Sequence, residues 1–241
     1  MRWMLFLCIA FSFAAQAKTE LTILVGLDKP PYIDLNDSSG YELDLLRLLT
    51  KKMGYEAIFL HVPNARIKDL MLDGRADIAT LQKPEQTQQQ LYFSKPYIRY
   101  QNVAASLESK SLQLQRLDQL QPYAVVAFHN ARTLLGPEYQ KIARLALSYQ
   151  EVANQSQQLQ MLVLERCDVV VMDRNIFLHY YRQTAPNDDS LKILNFFQVN
   201  HYHMLARTPE VAERFNQALA EVKQSELFSQ LQLQYFAELN Q

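Results

Sequence analysis

Leu70-Met71-Leu72-Asp73-Gly74-Arg75-Ala76-Asp77-Ile78-Ala79 and Met161-Leu162-Val163-Leu164-Glu165-Arg166-Cys167-Asp168-Val169-Val170 read as one unit written twice. Each ends an amphipathic helix, turns tightly through an arginine and opens an apolar strand with an aspartate. A unit that recurs once at domain-sized spacing predicts two similar α/β lobes. Two facing lobes leave a cleft, the usual place for a small ligand.

Working outward from the first copy, Leu21 to Leu27 is an apolar run with branched residues and predicts a buried strand. Asp28-Lys29-Pro30-Pro31-Tyr32 breaks it, since two prolines remove two backbone donors. Ser39-Gly40-Tyr41-Glu42 has the capping-box pattern, and the helix it opens stops at Gly54. Tyr55 to Leu60 is the next strand, Asn64 is placed to cap the next helix, and Asp77 to Leu81 is the third strand. Strand and helix alternate, as in a parallel α/β sheet. Around the second copy the pattern restarts, with strands predicted at Pro122–Phe128, Leu145–Tyr149, Val169–Met172 and Leu191–Phe197. Asn154 is placed to cap the helix before Val169, and Asp173 opens the one after it. Ile98–Leu107 and Tyr202–Ala206 read as the crossings between lobes, and two helices after Pro209 are expected to pack on the first lobe.

Residues 1–17 read as a cleavable signal peptide: Met1-Arg2, an apolar run from Trp3 to Phe13, then Ala15-Gln16-Ala17 before Lys18. The run is shorter than the ~20 residues of a permanent span. Cys8 lies inside it and does not end it, so it is a poor lipid acceptor. A periplasmic location follows. Loss of Arg2 leaves 23 basic against 25 acidic residues, a net charge of −2 and no nucleic-acid footprint. Cys167 is then alone, without a disulfide partner, and reads as a small buried hydrophobe.

The order of these segments is familiar. Val25-Gly26-Leu27-Asp28-Lys29-Pro30-Pro31-Tyr32 followed by Ser39-Gly40-Tyr41-Glu42-Leu43-Asp44-Leu45-Leu46 resembles the opening of the family 3 extracellular solute-binding proteins. Gly74-Arg75-Ala76-Asp77 with Leu91-Tyr92-Phe93-Ser94-Lys95-Pro96-Tyr97 is similar to the next signature, and Cys167 to Asp173 to the one in the second lobe. The resemblance implies a type II periplasmic binding protein fold, an α/β protein of two lobes joined by two crossing strands. It places 18–101 with 204–241 in lobe 1 and 102–203 in lobe 2. It further implies a monomer that traps a small solute by hinge closure, with an inner-membrane ABC permease as partner.

By the same resemblance, Asp173 binds an ammonium group, as a carboxylate in a closing cleft can. It could instead cap the following helix, and one oxygen could serve each role. The family's carboxylate-clamping Arg falls near Thr87 here, and Thr cannot form a bidentate ion pair. Lys29, Arg66 or Arg132 are alternative sources of positive charge, Arg66 equally a solvated charge at a helix start. Tyr32 either walls the cleft or packs on the core. Lys29 stands where the family has a stacking aromatic. Asp28 matches an acidic site residue, or serves its own turn. Thr80, Leu81 and Gln82 match a ligand-contacting loop. His129 and Asn130 match a turn that offers N–H groups to an anion.

Neither a cofactor motif nor a hydrolase or phosphate-loop signature is present. His201 and His203 share a strand face without further metal ligands nearby. The chain therefore reads as a receptor for a small polar, amine-bearing solute and not as an enzyme. A dehydratase-like enzyme on this fold, and an orphan receptor feeding a signalling partner, are the alternatives.

Overall fold

The computed structural model describes residues 19–84, 91–184 and 191–236. The signal peptide, Cys8 and Thr87 lie outside them. The first lobe opens with β1 (Thr19–Val25), α1 (Tyr41–Lys52), β2 (Tyr55–His61), α2 (Asn64–Leu72) and β3 (Ile78–Gln82). A long strand, β4 (Tyr92–Leu107), leads into the second lobe. There β5 (Ala124–Phe128), α3 (Ala131–Leu134), α4 (Gly136–Leu145), β6 (Ser148–Val152), α5 (Gln155–Val163), β7 (Val169–Asp173), α6 (Arg174–Thr184) and β8 (Leu191–Leu194) follow. Strand β9 (Val199–Ala206) returns, and α7 (Pro209–Lys223) and α8 (Glu226–Phe236) close the described chain.

The strands run in the order β2-β1-β3-β9-β4-β7-β5-β6, with β8 also on β4. Each lobe thus repeats one plan. β1 lies parallel between β2 and β3, and β5 lies parallel between β6 and β7. A crossing strand then adds antiparallel beside the third strand, β9 beside β3 and β4 beside β7. The crossing strands pair with each other from Tyr92–Ala206 to Gln101–Val199. At Asn102, β4 changes partner to β7.

The doubled unit is doubled down to its hydrogen bonds. Asp77 Oδ2 accepts the Thr22 N–H at 2.8 Å, and Asp168 Oδ2 accepts the Ala124 N–H at 2.9 Å. The Asp77 N–H reaches the Thr22 carbonyl, and the Asp168 N–H the Ala124 carbonyl. Each aspartate clips its strand to the first strand of its lobe. The preceding turn is left-handed in both copies, at Gly74 (φ 73°) and at Glu165 (φ 54°).

Buried Leu43, Leu45, Leu46 and Leu49 lie on more than one side of α1, which packs on β2 of the first-lobe sheet and on the C-terminal helices. Helix α7 packs on α1, β4 and β9, and α8 on α1, so the C-terminal helices cover the first lobe. Asn154 caps α5 through the Ser156 and Gln157 N–H groups. Two expected caps are corrected. Pro63 precedes α2 and Asn64 is already its first residue, without a side-chain cap. Gly40, not Ser39, precedes α1, with a φ of 120° and no side-chain cap. Glu42 is free of any capping duty and is fully buried. Predicted strand limits shift by a few residues, most at the start of β4, which begins at Tyr92 and not at Ile98, and by three residues at β6, which spans Ser148–Val152 and not Leu145–Tyr149.

Candidate functional site

Where the two crossing strands meet the carboxyl ends of β1 and β7, a network of buried polar side chains joins the lobes. Asp173 ends β7 and is 6% exposed. Its Oδ1 accepts the N–H groups of Asn175 (3.0 Å) and Ile176 (3.2 Å), which caps α6, and also the Tyr32 hydroxyl at 3.2 Å. Its Oδ2 accepts the Gln101 N–H at 3.0 Å from β4. A carboxylate oxygen accepts about two hydrogen bonds. Oδ1 is therefore saturated, while Oδ2 keeps one acceptor position among the described residues. Burial raises the Asp173 carboxyl to about 6, against the pull of these four donors toward the ionised form.

Tyr32 comes from the loop after β1, in the first lobe, and is 1% exposed. Besides donating to Asp173 it accepts the Asn175 amide at 3.0 Å, so one phenol of the first lobe holds two neighbouring side chains of the second. Its ring stacks on Tyr100 of β4, with centroids 4.1 Å apart. A tight turn aims it there: the Lys29 N–H donates to the Ile33 carbonyl, and the Tyr32 and Ile33 N–H groups return to the Lys29 carbonyl. The prolines between cannot donate, and the Pro31 and Tyr32 carbonyls accept the Tyr41 and Glu42 N–H groups at 2.8 and 2.9 Å, which ties the turn to the start of α1.

Glu42 lies on the first-lobe side. It accepts the Tyr97 hydroxyl at 2.6 Å and the Tyr100 hydroxyl at 3.3 Å, and the Lys29 ammonium stands 3.5 Å away. That ammonium also lies 5.0 Å from the centre of the Tyr100 ring. Burial lowers the Lys29 pKa, while Glu42 and Asp173 hold it up. Burial likewise drives the Tyr32, Tyr97 and Tyr100 phenols well above their ordinary value, so they stay protonated donors. The Tyr97 hydroxyl in turn accepts the Leu81 N–H at 3.3 Å and so steadies Leu81, which sits at a left-handed φ of 55°.

Of the candidates read from sequence, the structure brings Lys29, Tyr32 and Asp173 together. Gln82 ends β3 and turns its amide onto the Thr80 carbonyl at 2.8 Å. Asp28 is exposed and accepts the Leu35 N–H at 3.0 Å, which is turn chemistry. Arg66 is exposed on α2. His129 and Asn130 are exposed at the turn before α3. The N–H groups there already have an anion: Glu151 accepts from Asn130 and from Arg132, both at 2.9 Å, and pairs with the Arg132 guanidinium at 3.4 Å. Backbone N–H groups, the Tyr149 hydroxyl and Arg132 hold Glu151 below the usual carboxylate range against partial burial.

Glu42, Tyr97, Tyr100 and Glu151 were not singled out from sequence. Glu42 was hidden by the capping-box pattern that explains it locally. Tyr97 closes a family signature and Tyr100 lies on the lobe-crossing strand, but neither position names a side-chain partner. Cys167 is 2% exposed and burial pushes its thiol up to about 12, so it is a packing residue. Among the described residues no group of three or more His, Cys, Asp and Glu could hold a metal ion. Nor is any described helix long and apolar enough to cross a membrane.

Known proteins share this architecture. An ancestral arginine-binding protein bound to arginine superposes with a TM-score of 0.70 at 23% identity, covering 91% of this chain and 99% of that one. The GluR0 ligand-binding core in complex with L-glutamate gives 0.73 at 15% identity over 91% and 99%. A histidine kinase sensor domain with similarity to periplasmic binding proteins gives 0.70 at 18% identity over 90% and 96%. At these identities the likeness establishes the fold, the type II periplasmic binding protein architecture. No curated protein matches by sequence. The model of the bacterial extracellular solute-binding proteins, family 3, matches residues 21–238, nearly the whole chain, and the protein belongs to that family.

Proposed function

We propose that this protein captures a small polar, amine-bearing solute in the periplasm, between lobes divided as 18–101 with 204–241 and 102–203, without chemical turnover. The carrying observation is the state of Asp173: buried, raised to about 6, and with one acceptor position left on Oδ2. Two carboxylates, Asp173 and Glu42, face one ammonium, Lys29, so the seam lacks one positive charge. A cationic nitrogen would supply that charge and relieve the cost of holding Asp173 ionised. Tyr32, stacked on Tyr100, supplies the aromatic side of the seam. Gln82, His129, Asn130, Arg66 and Asp28 are assigned to the rims that meet as the lobes close.

Cleavage after Ala17 would release the chain, and an ABC permease would receive the solute from a monomeric receptor. The similarity to a kinase sensor domain favours a second reading, in which the closed form is presented to a signalling partner.

A thermal-shift screen of amino acids, amines and small carboxylates tests the capture reading, since a ligand specific to the native state raises Tm. Cationic solutes should give the shifts, confirmed by calorimetric titration, and Asp173→Asn should lose most of the affinity. Shifts from carboxylates alone, or wild-type affinity in Asp173→Asn, would refute the proposal. Unaltered solute recovered after prolonged incubation is expected; conversion would make the protein an enzyme.

A further inference from the structure

The Lys29 side chain turns away from solvent and is only 16% exposed. Its ammonium lies between the Glu42 carboxylate, at 3.5 Å, and the Tyr100 ring, at 5.0 Å. Asp173 adds a second negative charge within Coulombic reach. Carboxylate, aromatic face and low exposure together make a cation seat, because an ion partner and a ring face both compensate the ammonium for the water it loses. Glu42 would be a fully buried carboxylate facing only two phenols if that seat were empty. The other face of Tyr100 is taken by Tyr32 at 4.1 Å, so the seat is closed on that side.

We infer that Lys29 is a resident cation: it fills a cation-binding subsite of the cleft from within the chain and thereby limits the captured solute to one cationic group. The limit on solutes rests on the capture reading above; the subsite itself does not. A solute with a second cation, an arginine or a diamine, would have to place it against Lys29 or displace a tethered ammonium. A monoamine with a neutral distal part meets neither obstacle.

Chemical rescue tests the subsite. Lys29→Ala removes three methylenes and the ammonium, the shape of n-propylammonium. In thermal melts, millimolar n-propylammonium chloride should raise the Tm of Lys29→Ala by at least about 2 °C and leave wild type unmoved. Propionate and propanol should move neither. A folded Lys29→Ala, judged by circular dichroism, that responds no more than wild type would overturn the proposal.

If Lys29→Ala does not fold, Lys29→Met retains the stem and removes only the charge. It should melt below wild type, and Glu42→Gln added to it should recover at least half of the loss. A Lys29→Met protein that melts like wild type would equally overturn the proposal. For selectivity, arginine and putrescine should bind Lys29→Met at least about tenfold more tightly than wild type, and equal binding would remove the limit on solutes. Failure of every solute to bind wild type would defeat the capture reading and leave the n-propylammonium result to decide Lys29.

Discussion

Asp173 carries the clearest consequence at the scale of single residues. Its folded pKa, about 6, lies above the ordinary 3.8, so burial opposes its ionisation. Such a group contributes most to stability when protonated, below about 4, and loses that contribution as pH rises through 6. Ionised at neutral pH it costs about 3 kcal/mol relative to the unfolded chain. The ligand-free protein should therefore gain about 1 kcal/mol from this group between pH 7 and 5. The gain should vanish in Asp173→Asn, with chemical denaturation of both proteins across that range as the measurement. Binding of a cation should run the other way. Affinity should fall as pH drops through 6, and calorimetry at pH 7.5 and 5 should show proton release on binding at the lower pH.

Turns and caps set the prospects of individual elements. Gly40 ahead of α1 has a φ of 120°, and a Cβ there would stand 2.4 Å from the Tyr32 carbonyl oxygen. Both facts bar a side chain, and the turn that aims Tyr32 would have to move. Gly40→Ala should cost more than about 2 kcal/mol and weaken ligand binding with it. Gly54, also left-handed at 82° but facing open space, should lose only about 1 kcal/mol on the same change. The two copies of the repeated unit predict the converse. Glu165 holds the left-handed turn that Gly74 holds in the first lobe. Glu165→Gly should stabilise by up to about 1 kcal/mol, less what the exposed ion pair to Lys110 contributes. A denaturant melt of each variant measures these differences.

On the scale of the whole molecule, β4 and β9 and a shared hydrophobic core join the lobes, and the Tyr32 phenol adds hydrogen bonds across the seam. Tyr32, from the first lobe, reaches Asp173 and Asn175 of the second. Tyr32→Phe keeps the stacking on Tyr100 and removes both bonds. It should leave the free energy of unfolding within about 1 kcal/mol of wild type. By small-angle scattering the ligand-free Tyr32→Phe protein should have the larger radius of gyration, and ligand should restore the compact form.

The sequence by itself determined the two-lobe α/β plan. The repeated Asp after a tight Arg-bearing turn, the strand–helix alternation and the order of the family motifs are local patterns, and local patterns set which elements form. It also offered Asp173 as a helix cap, because the residue's position at a strand end is readable without a partner, and the cap is present; its ligand role came from the resemblance and is a proposal. Only the tertiary structure decided what surrounds Asp173. Glu42 reads locally as half of a capping box, yet it turns inward because Tyr97, Tyr100 and Lys29, from distant segments, satisfy it there. The N–H groups at Asn130 and Arg132 read as an anion seat, yet Glu151 already occupies them from β6. A buried charge is tolerable only where its counter-groups converge, and that convergence depends on how β4 and β9 bring remote segments together, which no local pattern encodes.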